Sequence, residues 1–308
     1  MATHILVFLA FFAISMYIDM HSHKNHVDMD IKDSFKWFLF WIFVAVLFNL
    51  YIFLDFGTES ALLFASGYLV EKSLSVDNLM VIMAIITSFG IKREYTRRIL
   101  YWGVLGAFFL RLVFVGICTF STVMFGKYAL GVFGIIVLFT AYKMAKSLST
   151  EAQEVEDYTN HWSVKMLERT NRVTPKTEGQ AFALKIDGKW MFTPLFLCLV
   201  CIEFADVLFA LDSVPAVIAI THDPYLVFTS NVFAILGLRS LYFLLEAAKD
   251  KLYYLQHAVI FLLMFIGVKM MADMFGLFHV PTSANLIVIA MSLTIGGIVS
   301  VMFPKVSN

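Results

Sequence analysis

Long apolar runs separated by short polar segments dominate the chain. A bilayer helix needs roughly 20 apolar residues. Reading for such runs predicts about nine spans, near residues 4–20, 36–54, 60–88, 99–124, 128–147, 191–220, 226–247, 255–276 and 284–303. The expected fold is all-α: a polytopic membrane protein with a single transmembrane domain over residues 1–308. The first run has no basic segment before it and no small-residue cleavage site after it, since IDMHSHKNH follows directly. It is therefore expected to remain as a helix rather than to be removed as a signal peptide.

The runs also repeat. LSVDNLMVIMAI around Asp77 matches FALDSVPAVIAI around Asp212 residue for residue. GVLGAFFLRLVF around Arg111 matches NVFAILGLRSLY around Arg239, and LFTAYKMA around Lys143 matches MFIGVKMM around Lys269. Each half reads as a three-helix unit, residues 60–147 and 191–276, joined by a polar segment, 148–190, expected to form a cytoplasmic loop or small flap. The spans 4–20, 36–54 and 284–303 flank the repeats. An odd number of spans per copy forces the second copy to enter the membrane from the opposite side, which is the inverted-repeat plan of transporters with a site near the midplane.

Composition agrees: 60% hydrophobic residues, 32 Phe and a mean hydropathy of +0.81 lie outside the range of soluble globular chains. The net charge of zero conceals an asymmetry. Lys24, Lys32 and Lys36, then Lys92, Arg93, Arg97 and Arg98, then Lys165, Arg169, Arg172, Lys176, Lys185 and Lys189, then Lys249 and Lys251, and finally Lys305 fall on one side, against Lys127 alone on the other. The positive-inside rule then predicts an outside N-terminus and a cytoplasmic C-terminus. Cys118, Cys198 and Cys201 all fall within predicted spans and read as packing residues.

The chemistry lies in acids placed where acids are costly. A carboxylate at the centre of a bilayer helix costs roughly 2.5–3.5 kcal/mol on insertion scales, so such groups call for partners, water or a bound ion. Glu71, Asp77, Glu203, Asp206 and Asp212 occupy such positions, and Glu71 aligns with Asp206. Each copy thus places an acid six residues before its aspartate, with Asn78 or Ser213 directly after it. Residues six apart on a straight helix lie about 120° from each other, so convergence on one site requires a distorted helix. Pro215 has no N–H for the carbonyl of Leu211, and the stretch around Leu211 and Pro215 is predicted to unwind and present freed carbonyls to a cation.

These donors are hard oxygens, a set that suits Mg2+, Ca2+ or Mn2+. Met80 and Met83 read as core packing, with a soft contact favouring Mn2+ as the alternative. Arg111 and Arg239 read equally as partners for the acids once a cation has left or as residues that fix helix packing. Lys143 and Lys269 are expected to snorkel to the interface. His21, His23 and His26, among Asp19, Asp28, Asp30 and Asp33, read as a solvated loop, with a metal-collecting loop as the alternative. The sequence contains no H-E-x-x-H, G-x-S-x-G or Walker motif, so neither an enzyme nor ATP-driven transport is expected. No prosthetic group and no nucleic-acid partner are expected, and the oligomeric state is left open.

EKSLSVDN at 71–78, ALDSVPA at 210–216, TSNVFAILGLRSLYFLL at 229–245 and GVKM at 267–270 resemble the TerC family of membrane proteins. The resemblance covers roughly residues 60–280. It implies a nine-helix protein of the bacterial inner membrane that exports manganese, with Glu71, Asp77, Glu203, Asp206 and Asp212 among the ligands. The first loop's histidines lie outside the matching motifs. The expected function is therefore a secondary transporter of Mn2+ working by alternating access with protons as counter-ion; Ca2+ and Mg2+ stay open as cargo. The alternative is an accessory membrane protein of metal homeostasis, secretion or membrane assembly that binds metal or partners without net flux.

Overall fold

In lipid an apolar segment must satisfy its backbone internally, which makes helix the local structure for every long run here. The computed structural model describes residues 2–21, 31–149, 159, 161–170, 172–175, 179–186, 188–248, 253–277 and 280–302. The elements are α1 (Ala2–His21), α2 (Ile31–Ser88), α3 (Arg93–Phe125), α4 (Lys127–Ser149), α5 (Trp162–Glu168), β1 (Ala183–Ile186), β2 (Lys189–Phe192), α6 (Pro194–Ile218), α7 (Pro224–Ile235), α8 (Leu238–Ala248), α9 (Tyr253–Phe275) and α10 (Thr282–Met302). Among the described residues, six helices are long and apolar enough to cross a membrane. The pair α7 and α8 is apolar and long enough together but bent by 46°, the shape of a broken span or a re-entrant loop, and α1 is a shorter apolar helix. The protein is thus an integral, multi-pass, all-α membrane protein.

Two glycines divide long helices. A straight 58-residue helix would run about 87 Å, almost three times the hydrocarbon core. Gly57, at φ 87° and ψ 178°, breaks α2 into two arms that carry the predicted spans 36–54 and 60–88. Nothing stands near its missing Cβ, so the positive φ alone calls for glycine there. Gly237, at φ 79°, separates α7 from α8 within the predicted span 226–247. Here both reasons apply, because a Cβ would also meet the side chain of Trp41 at 2.6–2.8 Å.

The predicted unwinding at Leu211 and Pro215 is not found: α6 stays helical from Pro194 to Ile218 with Pro215 inside it. The physical reason is position. Pro215 lies in the last turn, where the only bond lost is the one to Leu211, and its own carbonyl still accepts from Ala219. The predicted span 191–220 is also shorter at its start, since Met191 and Phe192 belong to a two-stranded antiparallel hairpin, with Ala183 opposite Phe192. This hairpin and α5 form a small flap within the joining segment, pinned to the helices by Trp162 on Phe204, Trp102 on Phe182 and Arg98 over Phe182.

Helix contacts run between the two three-helix units expected from the sequence. The first helix of each unit lies against the second helix of the other, α2 on α7 and α8 and α3 on α6, while the third helices, α4 and α9, pack on each other. Gly134 and Gly267 face one another across the α4–α9 contact, so the two backbones approach closely. Helices α2 and α6 run antiparallel, with Gly67 against Val217 at one level and Val76 to Ile86 clustered with Leu195 to Ala205 further along. A phenylalanine cluster of Phe8, Phe48, Phe64 and Phe233 ties α1, α2 and α7 together. Large apolar side chains such as Phe43, Phe109, Phe120, Phe139 and Ile287 remain exposed, as lipid-facing residues do.

Candidate functional site: buried carboxylates around Arg111

The central feature is a guanidinium enclosed by polar groups from three neighbouring helices. Arg111 on α3 is 1% exposed. Its Nη1 donates to Glu71 Oε1 on α2, to Ser213 Oγ on α6 at 2.8 Å and to Asn231 Oδ1 on α7 at 2.6 Å. Its Nη2 lies 3.9 Å from Asp206 Oδ1 on α6. Glu71 is fully buried. One oxygen of each central acid, Glu71 Oε2 and Asp206 Oδ2, has no hydrogen-bond partner, an arrangement that costs free energy unless another cation or proton is drawn to it.

Glu203 lies one turn before Asp206 on the same helix, within electrostatic range of it. Its carboxylate rests where a Cβ of residue 106 would be, so Gly106 on α3 gives it room. The two remaining acids turn away from Arg111. Asp77 takes the Gln256 side chain of α9 as partner and keeps Oδ2 unpartnered. Asp212 accepts from Thr140 Oγ1 of α4 at 2.6 Å and lies near Lys143. Six helical residues rotate the direction by about 120° and advance it by about 9 Å. Because α2 and α6 are antiparallel, those advances run in opposite directions.

The predicted ligands therefore do not share one cluster. Among the described residues, no three acids, histidines or cysteines converge on a point where one ion could be held. Glu71, Asp206 and Ser213 meet at Arg111, Glu203 stands beside them, and Asp77 and Asp212 occupy separate positions against α9 and α4. Asn78 is half-buried next to Asp77. The reason is the helix that was expected to unwind: with α6 regular, residues six apart stay on different faces.

Other expectations are also revised. Arg239 does not enter the site; it pairs with Asp19 in the last turn of α1. Asp19 is thereby a buried helical residue rather than part of a polar loop. His23, His26, Asp28 and Asp30 lie outside the described residues, as does the side chain of His21, while Asp33 pairs with Lys36. Lys269 does not snorkel but donates to the carbonyl of Ala219 at the end of α6. Lys72 donates to the carbonyls of Ala234 and Leu236 at the α7–α8 break, at 3.1 and 3.2 Å. The carbonyls freed at these helix ends are held by the protein's own ammonium groups.

Residues 56–307 match the model of a family described as integral membrane protein TerC family. The chain belongs to the TerC family. The tellurium resistance protein TerC of Serratia marcescens is 39% identical, over 97% of this chain and 94% of its own length. A protein of Salmonella typhi described as the putative membrane-bound redox modulator Alx is 38% identical, over 87% of this chain and 83% of its own. The chloroplastic thylakoid membrane protein TERC of Arabidopsis thaliana is 39% identical, over 87% of this chain and 68% of its own. No solved structure gives a significant match. In this TerC-family chain Glu71, Asp77 and Asp212 lie within the blocks 71–78 and 210–216, Glu203 and Asp206 lie outside them, and TSNVFAILGLRSLYFLL carries Asn231, which sequence reading did not single out. Its signal was present: Thr229, Ser230 and Asn231 form a polar triplet inside an apolar run, and all three are fully buried.

Proposed function

We propose that this TerC-family protein is a secondary transporter that exports a divalent cation, with Mn2+ as its best-suited cargo. The observation that carries the reading is the set of buried and half-buried carboxylates on two antiparallel helices, three of them with a buried oxygen that no described protein group satisfies. A scaffold gains nothing from such groups, whereas a cation path depends on them. Hard oxygen donors favour Mn2+, Ca2+ or Mg2+ over thiophilic ions, and the family resemblance selects Mn2+ among the three. The names of the relatives speak of tellurium resistance and redox modulation. A tellurium oxyanion is repelled by unpaired carboxylates, so tellurium is read as a phenotype rather than as cargo.

In this reading the two three-helix units rock against each other about the α4–α9 contact, exposing the acids to each side in turn. The ion moves from the cytoplasm outward across the inner membrane of a bacterial-type cell, with the N-terminus outside. Asp77 and Asp212 bind protons on the return step, because protonation removes the charge that holds the metal. The test is the metal content of cells lacking their own manganese exporter and grown under manganese load. Expression of the chain is expected to lower cellular Mn several-fold with Ca and Mg unchanged. Equal Mn with and without the chain contradicts the reading.

A further inference from the structure

Glu71 and Asp206 form a pair of carboxylates on opposite helices, and a side chain of the same protein already lies between them. Arg111 reaches both, and the Nη1 that contacts Glu71 also donates to Ser213 and Asn231, while Nε has no hydrogen-bond partner among the described residues. Arginine stays protonated in proteins, so this positive charge is permanent. The partner that the repeat would supply, Arg239, is taken by Asp19. The centre therefore has a single guanidinium facing Glu71 of α2 and Asp206 of α6, with Glu203 one turn away and no second arginine. Lys72, next to Glu71, points to the carbonyls of α7 instead.

We propose that Arg111 is a tethered counter-cation that alternates with the transported ion at Glu71 and Asp206, so that the central pair needs no second diffusible ion on the return step. This rests on the transport reading above and deepens it. A divalent ion at the pair supplies two charges and displaces the guanidinium toward Ser213 and Asn231, which already accept from it. When the ion leaves, the guanidinium moves back and the pair is never bare in a medium of low dielectric, where an unpaired buried carboxylate is strongly unfavourable. Protons then serve only Asp77 and Asp212, which have no guanidinium within reach among the described residues, although Lys143 lies near Asp212.

The consequence separates two transport modes. Net efflux requires the carrier to return without cargo, whereas exchange of Mn2+ for Mn2+ does not. In proteoliposomes at alkaline pH on both sides, Arg111→Gln is expected to lower net Mn2+ efflux about tenfold, the effect of one uncompensated step of about 1.4 kcal/mol. Exchange of radiolabelled Mn2+ is expected to stay within about threefold of wild type, well inside that same energy step. A merely structural arginine predicts a parallel fall in both modes, and a dispensable one predicts no change in either; each of these results overturns the proposal. Where Arg111→Gln does not reach the membrane, Arg111→Lys decides. The retained charge is expected to keep the ratio of net efflux to exchange at the wild-type value, and loss of both modes, or of net efflux alone, overturns it. Failure of the transport reading itself is distinct, because the wild-type protein then shows neither mode.

Discussion

Asp77→Asn is expected to abolish the manganese tolerance that the wild-type chain confers while leaving the protein in the membrane at its wild-type level, and Asp212→Asn to do the same. The two halves of that expectation have separate physical causes. Asparagine has the shape of aspartate, so the contact with Gln256 or Thr140 can persist, and no ion pair is broken at Asp77, whose Oδ2 has no protein partner. Removing a buried charge also removes its desolvation cost, so folding is not impaired. Transport is affected differently: a neutral amide neither attracts a divalent ion as strongly nor binds and releases a proton. Membrane immunoblots and metal analysis of manganese-loaded cells check both halves. Wild-type Mn levels in cells carrying either variant would show that these aspartates are not on the path.

The second large effect is on stability, at Glu71. Glu71→Leu leaves the Arg111 guanidinium buried with only Asp206 at 3.9 Å as a charged neighbour. Removing one member of a buried ion pair typically costs about 3–5 kcal/mol, because the other charge stays behind unpaired. The variant is expected to show a clearly lower apparent Tm in detergent and reduced amounts in the membrane. The pair Glu71→Leu with Arg111→Met removes both charges and is expected to recover more than half of that loss, since a neutral, well-packed pair is nearly as stable as the ionic one. Thermal denaturation of wild type, the single variant and the double variant measures this directly; a double variant no more stable than the single one would place the loss in packing rather than in charge. The contrast with Asp77 is informative. Both acids keep one oxygen unpartnered, yet Glu71 is paired with a cation of the protein and Asp77 is not.

Much of this arrangement was legible in the sequence because membrane helices announce themselves by apolar length, and the acids by interrupting it. The spans on α2, α3, α4, α9 and α10 follow from run length alone. The blocks at 71–78 and 210–216 contain Glu71, Asp77 and Asp212, while Glu203 and Asp206 stand out as acids within the apolar run of α6. What the sequence did not reveal depends on side-chain direction and on partners distant in the chain. Pro215 is a helix breaker by composition, but in the last turn of α6 it costs a single hydrogen bond. Gly237 looks ordinary in GLR, yet it provides the break, because Trp41 from α2 fills the space where a side chain would stand. Arg111 and Arg239 align in sequence and diverge in use, since Arg239 is claimed by Asp19 from α1, a helix with no counterpart in the other unit. Local pattern could not foresee that third partner. Nor could it foresee Lys72 and Lys269 closing helix ends, contacts across 162 and 50 residues.

The same geometry explains why several acids can coexist so close together. Arg111 neutralises part of the charge, Thr140 and Gln256 each support one aspartate, and the antiparallel course of α2 and α6 moves Asp77 and Asp212 apart in opposite directions. Separate positions are also what a carrier needs, since an ion bound to every acid at once would not be released.

The central claim is that this chain alone moves a divalent cation across a bilayer. Its most direct test is net Mn2+ flux in proteoliposomes that contain only the purified wild-type protein, driven by a manganese gradient and recorded with an enclosed metal-sensitive dye. The account predicts a saturable flux well above that of protein-free vesicles and strongly reduced in the Asp77→Asn protein. A folded wild-type protein that gives no flux above protein-free vesicles would contradict it and favour an accessory protein that binds metal or partners without transport.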